Sequence, residues 1–180
     1  MDTDEPHSAD LPRGLMNFSV RQVRRDDAPR LSEFYRSLSA RSSYFFEPYT
    51  DTSVEAMRTV VDRAMDGYDL SLVANEHGGR VFAHFFYMNV SADVPHLGIG
   101  LRDEYQELGL GSMFMAYLLA LGRNVLQKRS VGLTVLKENE RALKLYTRLG
   151  FEIVRDHTFR HPDDSVEMQL DLHAPQEVIR

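Results

Sequence analysis

One stretch limits the possible folds more than any other. The run Val94-Pro-His-Leu-Gly-Ile-Gly-Leu101 alternates along its length, and Leu110 to Val125 repeats apolar residues at helical spacing. Between them lies Gln106-Glu-Leu-Gly-Leu-Gly111. The chain thus passes from a strand through a loop into a helix with two glycines at its mouth. Glycine lets a ligand approach the backbone closely. The first turn of a helix has N–H groups without intrahelical partners, and these attract anions. The stretch reads as a phosphate cradle. GxxxxGK[ST] is absent, so it is not a P-loop, and each glycine pair lacks the third glycine of a dinucleotide fingerprint. A helix start helped by glycines is the plainer alternative.

The rest of the chain frames this unit. Residues 1–15 are polar, acidic and broken by proline, and read as a disordered leader; residues 16–175 read as one domain and 176–180 as a tail. Phe18 to Arg24 alternates as a first strand. Asp26 or Asp27 is placed to cap a helix over 28–38, with Leu31, Phe34, Tyr35 and Leu38 on one face. Residues 39–50 are aromatic and lack a helical period, which suits a lid or binding wall. A helix over 53–65 follows, then strands over 70–74 and 80–90 joined by the turn Asn75-Glu-His-Gly-Gly79. After the cradle helix, extended to Gln127, come a strand over 130–136, a short helix capped by Asn139 and ended by Gly150, and strands over 151–159 and 166–172 about the turn 161–164. The order mixes hairpins with strand-helix-strand units, so the fold class is α/β with a mixed sheet. Met113, Phe114, Tyr117 and Leu121 are expected in the core. His84 and Tyr87 should pack on opposite faces of their strand.

Several function classes are set aside by composition. A net charge of −6 argues against non-specific nucleic-acid binding. The absence of cysteine removes disulfides, cysteine zinc sites and a cysteine nucleophile, and no metal ligand set stands out. The N-terminus lacks a signal-peptide pattern and no apolar run approaches the ~20 residues of a membrane span. A cytoplasmic protein is expected.

Two blocks now resemble one family. Gln106-x-x-Gly109-x-Gly111 resembles the Arg/Gln-x-x-Gly-x-Gly/Ala loop of the GNAT acetyltransferase superfamily. Leu133-x-Val135-x-x-x-Asn139-x-x-Ala142-x-x-Leu145-Tyr146, followed by Gly150-Phe151, resembles its second signature. The resemblance implies a GNAT-like, mostly antiparallel central sheet with helices on both faces. It also implies transfer of an acetyl group from acetyl-CoA to an amine acceptor, a small amine or a lysine side chain, with a homodimer as one allowed assembly. Ile99, Gly100 and Leu101 would pair their backbone with the pantetheine arm in a splay between two parallel strands. Gln106, Glu107, Leu108, Gly109, Leu110 and Gly111 would hold the pyrophosphate. Asn139 would hydrogen-bond the cofactor, and Tyr146 would protonate the leaving thiolate. A base glutamate in many members stands five residues before the position of Leu101, and His96 occupies that place here. An imidazole titrating near ~6.5 is a competent base at neutral pH.

The chemistry is coherent on its own terms. An attacking amine must be neutral, so its proton needs a base. The carbonyl oxygen gains charge and needs a fixed donor, for which a backbone N–H near Leu101 is suited. Without cysteine, an acetyl-cysteine intermediate is impossible, and direct transfer in a ternary complex is the economical route. One departure stands out: residues 103–111 carry Asp103, Glu104 and Glu107 and no basic residue, with Arg102 the nearest cation. That favours an alternative, a non-catalytic acyl-CoA or metabolite-binding module. For the acceptor, Leu38-Ser39-x-x-Ser42-x-Tyr44 resembles a pattern of bacterial and archaeal protein-lysine acetyltransferases, but Phe46-Glu47 replaces the Arg-Phe pair that follows there. Tyr44 and Phe46 are expected to wall the acceptor pocket, and Glu47 to hold a cation. Segment 39–50 is expected to face the acceptor and not the cofactor.

Overall fold

A computed structural model describes residues 18–157 and 165–174. Its elements are β1 (Phe18–Gln22), α1 (Ala28–Arg36), α2 (Ala40–Phe45), α3 (Val54–Met65), β2 (Leu70–Glu76), β3 (Val81–Met88), β4 (His96–Leu101), a 3₁₀ turn (Asp103–Tyr105), α4 (Leu110–Asn124), β5 (Ser130–Leu136), α5 (Glu140–Arg148), β6 (Glu152–His157) and β7 (Ser165–Asp171). They build one seven-stranded sheet in the order β1-β2-β3-β4-β5-β7-β6. Every neighbouring pair is antiparallel except β4 and β5. The expected leader, the turn 161–164 and the tail lie outside the described residues.

Helices cover both faces. Beneath α4 and α5 lies an apolar layer that includes Phe82, Phe85, Phe114, Leu133 and Met168. The opposite layer joins Leu31 and Phe34 of α1 to Met57 and Val61 of α3 and to Val73. Phe114 stacks on Phe85 with centroids 4.5 Å apart. Truncating such a ring to alanine typically costs about 3–5 kcal/mol. On β3, His84 faces α1 and Tyr87 faces α4, where its hydroxyl donates to Leu118 O at 2.9 Å. Among the described residues no helix is long and apolar enough to cross a membrane.

Four expectations need correction. Residues 40–45 form a helix, because Ser39 accepts from the Ser42 N–H and nucleates a turn that hydrophobic period alone does not signal. Met113 and Tyr117 are 44% and 46% exposed, not core. An almost uniformly apolar helix does not announce its buried side; α4 buries Leu110, Phe114, Met115, Leu118 and Gly122 instead. Helix α4 also ends at Asn124, three residues short of Gln127. Asp27 does sit at the N-cap of α1, but its carboxylate caps nothing. It takes bonds from Arg21 (2.9 Å), the Arg24 N–H (2.7 Å) and Arg30 (3.1 Å), a denser set of donors than one helix end supplies.

Candidate active site

Strands β4 and β5 pair in register only at His96 and Gly132, where the Gly132 N–H donates to Pro95 O at 3.0 Å. Beyond that point they part, and a cleft of about 1580 Å³ opens between them. Its edge is defined by the ladder. Arg102 N–H donates to Phe82 O on β3 at 2.9 Å. By antiparallel alternation the N–H groups of Ile99 and Leu101 face the other way, into the cleft. Both residues line it, as does Gly100.

At the cleft mouth, α4 begins without a side-chain cap. Gly109 holds the N-cap position at φ +78°, and Glu107 before it also has positive φ, at 64°. No protein atom lies within 4 Å of where a Gly109 Cβ would stand. The opening N–H groups of α4 are thus bare on the cleft side. Of the expected cradle, Gln106, Glu107, Gly109 and Gly111 line the cleft. The Leu110 side chain is buried in the core and Leu108 is exposed, so these two offer only backbone. Gln106 is committed elsewhere: its Nε2 donates to Ser42 Oγ at 3.0 Å and to Leu101 O at 3.1 Å.

That bond belongs to a clamp the sequence did not reveal. Asp103 accepts from the Ser39 N–H (3.0 Å), Ser39 Oγ (2.6 Å) and Ser42 Oγ (2.7 Å). The bond from Ser39 is the main cause that holds the Asp103 carboxyl below its ordinary pKa; desolvation opposes it, and the Ser42 bond adds to the lowering. Segment 39–50 is therefore tied at its start to Asp103 and Gln106, in the stretch between β4 and α4. Its later half does build a wall. The Phe46 ring lies against Gly100, where a Cβ would come within 2.1 Å of it. Tyr35 stacks behind Phe46 with centroids 6.0 Å apart, and the Tyr35 hydroxyl meets His84 Nδ1 at 2.7 Å. Burial alone drives the His84 pKa down to about 3, so this imidazole is a neutral strut. Tyr44, Phe46 and Glu47 all line the cleft.

The basic side chains that line the cleft stand on α5 and, as Arg41, on α2, and not on the loop. Arg141 reaches Glu107 at 3.2 Å across the mouth, and Lys144 and Arg148 line the cleft beside it. Arg102 is no help: it is 3% exposed and bonds Val81 O (2.8 Å) and Glu33 (3.0 Å). The sequence carried a signal for Arg141, since it follows Asn139 by two positions in the first turn of a helix that borders the cleft.

Asn139 caps α5, its Oδ1 accepting from the Ala142 N–H at 3.2 Å. The other end of α5 fixes Tyr146. Gly150 takes φ +90°, its N–H donates to Thr147 O at 3.0 Å, and the Phe151 N–H donates to Tyr146 O at 3.0 Å. This is a Schellman closure, and Phe151 packs on the Tyr146 ring at 5.8 Å. The Tyr146 hydroxyl has no hydrogen-bond partner among the described residues, and Tyr146 lines the cleft. Burial pushes its pKa up to about 12. His96 also lines the cleft, with Nε2 3.6 Å from Glu167 Oε1. Glu167 was not singled out in the sequence; only the alternation of Val166-Glu-Met-Gln-Leu170 marks it as facing away from the core.

Residues 17–152 match the family model described as the acetyltransferase (GNAT) domain. No curated protein matches the chain. Among solved structures, a ribosomal-protein-S5-alanine acetyltransferase from Vibrio fischeri superposes with TM-score 0.76 at 14% identity, over 89% of this chain and 96% of that one. A spermidine N-acetyltransferase from Vibrio cholerae, in complex with CoA and spermine, gives 0.72 at 15% identity over 86% and 95%. A dodecameric structure of the same Vibrio cholerae enzyme gives 0.70 at 16% identity over 86% and 94%. At these identities the likeness is one of fold.

Proposed function

This chain belongs to the GNAT acetyltransferase family, and we propose that it moves an acetyl group from acetyl-CoA to a cationic amine by direct transfer in a ternary complex. One observation carries the reading. A single cleft gathers the uncapped start of α4, the N–H groups of Ile99 and Leu101 that β3 leaves unpaired, and Tyr146. In this reading the N–H groups at the start of α4 hold the pyrophosphate, helped by the helix dipole. Arg141, paired with Glu107, and Lys144, paired with Glu140, set basic charge beside the acidic loop. Ile99 and Leu101 hold the pantetheine arm through their backbone, and Asn139 contacts it from the opposite wall.

His96 takes the proton of the incoming ammonium. The Leu101 N–H meets the charge that develops on the carbonyl oxygen. Tyr146 delivers its proton to the departing sulfur. With a pKa near 12 its hydroxyl stays protonated at neutral pH, so the proton is present as the C–S bond breaks; passing it to a thiolate of ordinary pKa ~8.5 is uphill, and the second proton shed by the acetylated nitrogen restores the phenol. Tyr44 and Phe46 wall the acceptor and Glu47 attracts its charge. A small amine or a lysine side chain suits this wall, in keeping with neighbours of the same fold that act on spermidine or on a ribosomal protein. The enzyme is assigned to the cytoplasm.

A mass-spectrometric screen of acetyl-CoA with polyamines, aminoglycosides, amino acids and lysine peptides tests the reading. The expected result is acetylation of one cationic class on nitrogen. Acetyl-CoA binding with no acetylated product across all classes would favour the binding module instead.

A further inference from the structure

We infer that Glu167 is a positioning residue that orients His96 for proton abstraction. The inference rests on the reading above that His96 is the base. Three successive strands converge here. His96 on β4 pairs with Gly132 on β5, and β5 pairs with β7 so that Thr134 lies opposite Glu167. Alternation puts Gly132, Thr134 and Glu167 on the sheet face away from α4 and α5, since Leu133, Val135, Val166 and Met168 fill the core on the other side.

The imidazole crosses this face over Gly132. A Cβ at position 132 would stand 3.3 Å from the His96 ring, so the glycine leaves the ring room to lie across β5. Nε2 thereby reaches to 3.6 Å from Glu167 Oε1. The Glu167 side chain is only 14% exposed, whereas Arg155 on its far side, 3.8 Å from Oε2, is 69% exposed. A carboxylate largely withdrawn from water and set against an imidazole holds the ring with Nε2 toward it. With Nε2 directed at Glu167, Nδ1 is the nitrogen left to accept the amine proton. No bond to substrate is assigned to Glu167.

The test is a double-mutant cycle on kcat and on the KM for the amine, in the full chain with acetyl-CoA and the amine identified by the screen. Glu167→Gln is expected to lower kcat by roughly tenfold or more, with the KM for the amine within about twofold. Glu167→Asp should recover part of the loss. In a His96→Ala background, Glu167→Gln should have no further effect on kcat, because the residue acts only through the ring. Gly132→Ala, which crowds the ring without touching either charge, should lower kcat roughly threefold to tenfold. It also serves if Glu167→Gln does not fold. Loss of kcat in His96→Ala together with an unchanged kcat in Glu167→Gln overturns the role of Glu167 and leaves the base in place. A raised amine KM at constant kcat makes Glu167 an acceptor contact and equally overturns it, as do additive losses in the double mutant. An unchanged kcat in His96→Ala removes the base reading itself.

Discussion

Tyr146 sits where helix chemistry puts it. Gly150 at positive φ lets the chain close α5, and that closure anchors the backbone of Tyr146 while Phe151 holds the ring. Burial keeps the phenol protonated to about pH 12, so the pH dependence of the reaction should show no loss of the acid below that range. Tyr146→Phe keeps the ring and removes the proton. The expected outcome is a fall in kcat of roughly 10² with the dissociation constant for acetyl-CoA nearly unchanged, read by steady-state kinetics and calorimetric titration. An unchanged kcat would make Tyr146 a packing residue. This position was legible in the sequence because its signature is local: a cap, an apolar face and a glycine within twelve residues. Glu167 was not, because its meaning depends on β7 lying beside β5, and a polar residue in an alternating strand carries no record of its neighbour.

At the scale of elements, the start of α4 and the clamp on α2 make separable predictions. Gly109 and Gly111 are unequal probes. Gly109 needs its positive φ, so a valine there strains the loop whatever binds. Gly111 has ordinary helical geometry, and the nearest atom to its would-be Cβ is Leu101 Cδ1 at 3.9 Å. Gly111→Val is the cleaner test of the cradle. Calorimetry should show acetyl-CoA affinity lower by at least tenfold, about 1.4 kcal/mol, at an unchanged melting temperature. Parent-like affinity would place the phosphates elsewhere. On α2, Asp103→Ala leaves Ser39 and Ser42 without their shared acceptor. Limited proteolysis should then cut segment 39–50 faster, and the KM for the amine should rise as the Phe46 wall loosens, with the thermal midpoint little changed because Asp103 is exposed. Sequence reasoning found the wall and missed the clamp. Aromatic content marks a surface-building segment, but serines sixty-odd residues from an aspartate show no pattern until the fold joins them.

For the whole molecule, the sheet's strand content and its mixed character were readable from period-two runs and turn residues, while the strand order was not. The order matters most, because one parallel pair among antiparallel ones creates the cleft. An interior carboxylate, Asp27, contributes to the stability of this frame. Burial opposes the charge on Asp27, yet the bonds from Arg21, the Arg24 N–H and Arg30 outweigh it and hold its pKa below the ordinary value. A depressed folded-state pKa contributes stability that is complete above the unfolded value near ~3.9 and is lost as pH falls through the folded value. Urea midpoints of the parent should therefore drop below about pH 4. Asp27→Asn should be destabilised on the order of 3 kcal/mol at neutral pH and show a shallower acid decline. Equal acid slopes in both proteins would assign the decline to other carboxylates. The account as a whole turns on direct transfer from acetyl-CoA held between β4 and β5. A rapid-quench single turnover measures it: enzyme in excess over acetyl-CoA, with and without the amine found by the screen. Direct transfer gives no CoA release and no acetylated protein without amine, then one acetylated amine for each CoA when amine is added. CoA released without amine, with the acetyl group recovered on the protein, would contradict it.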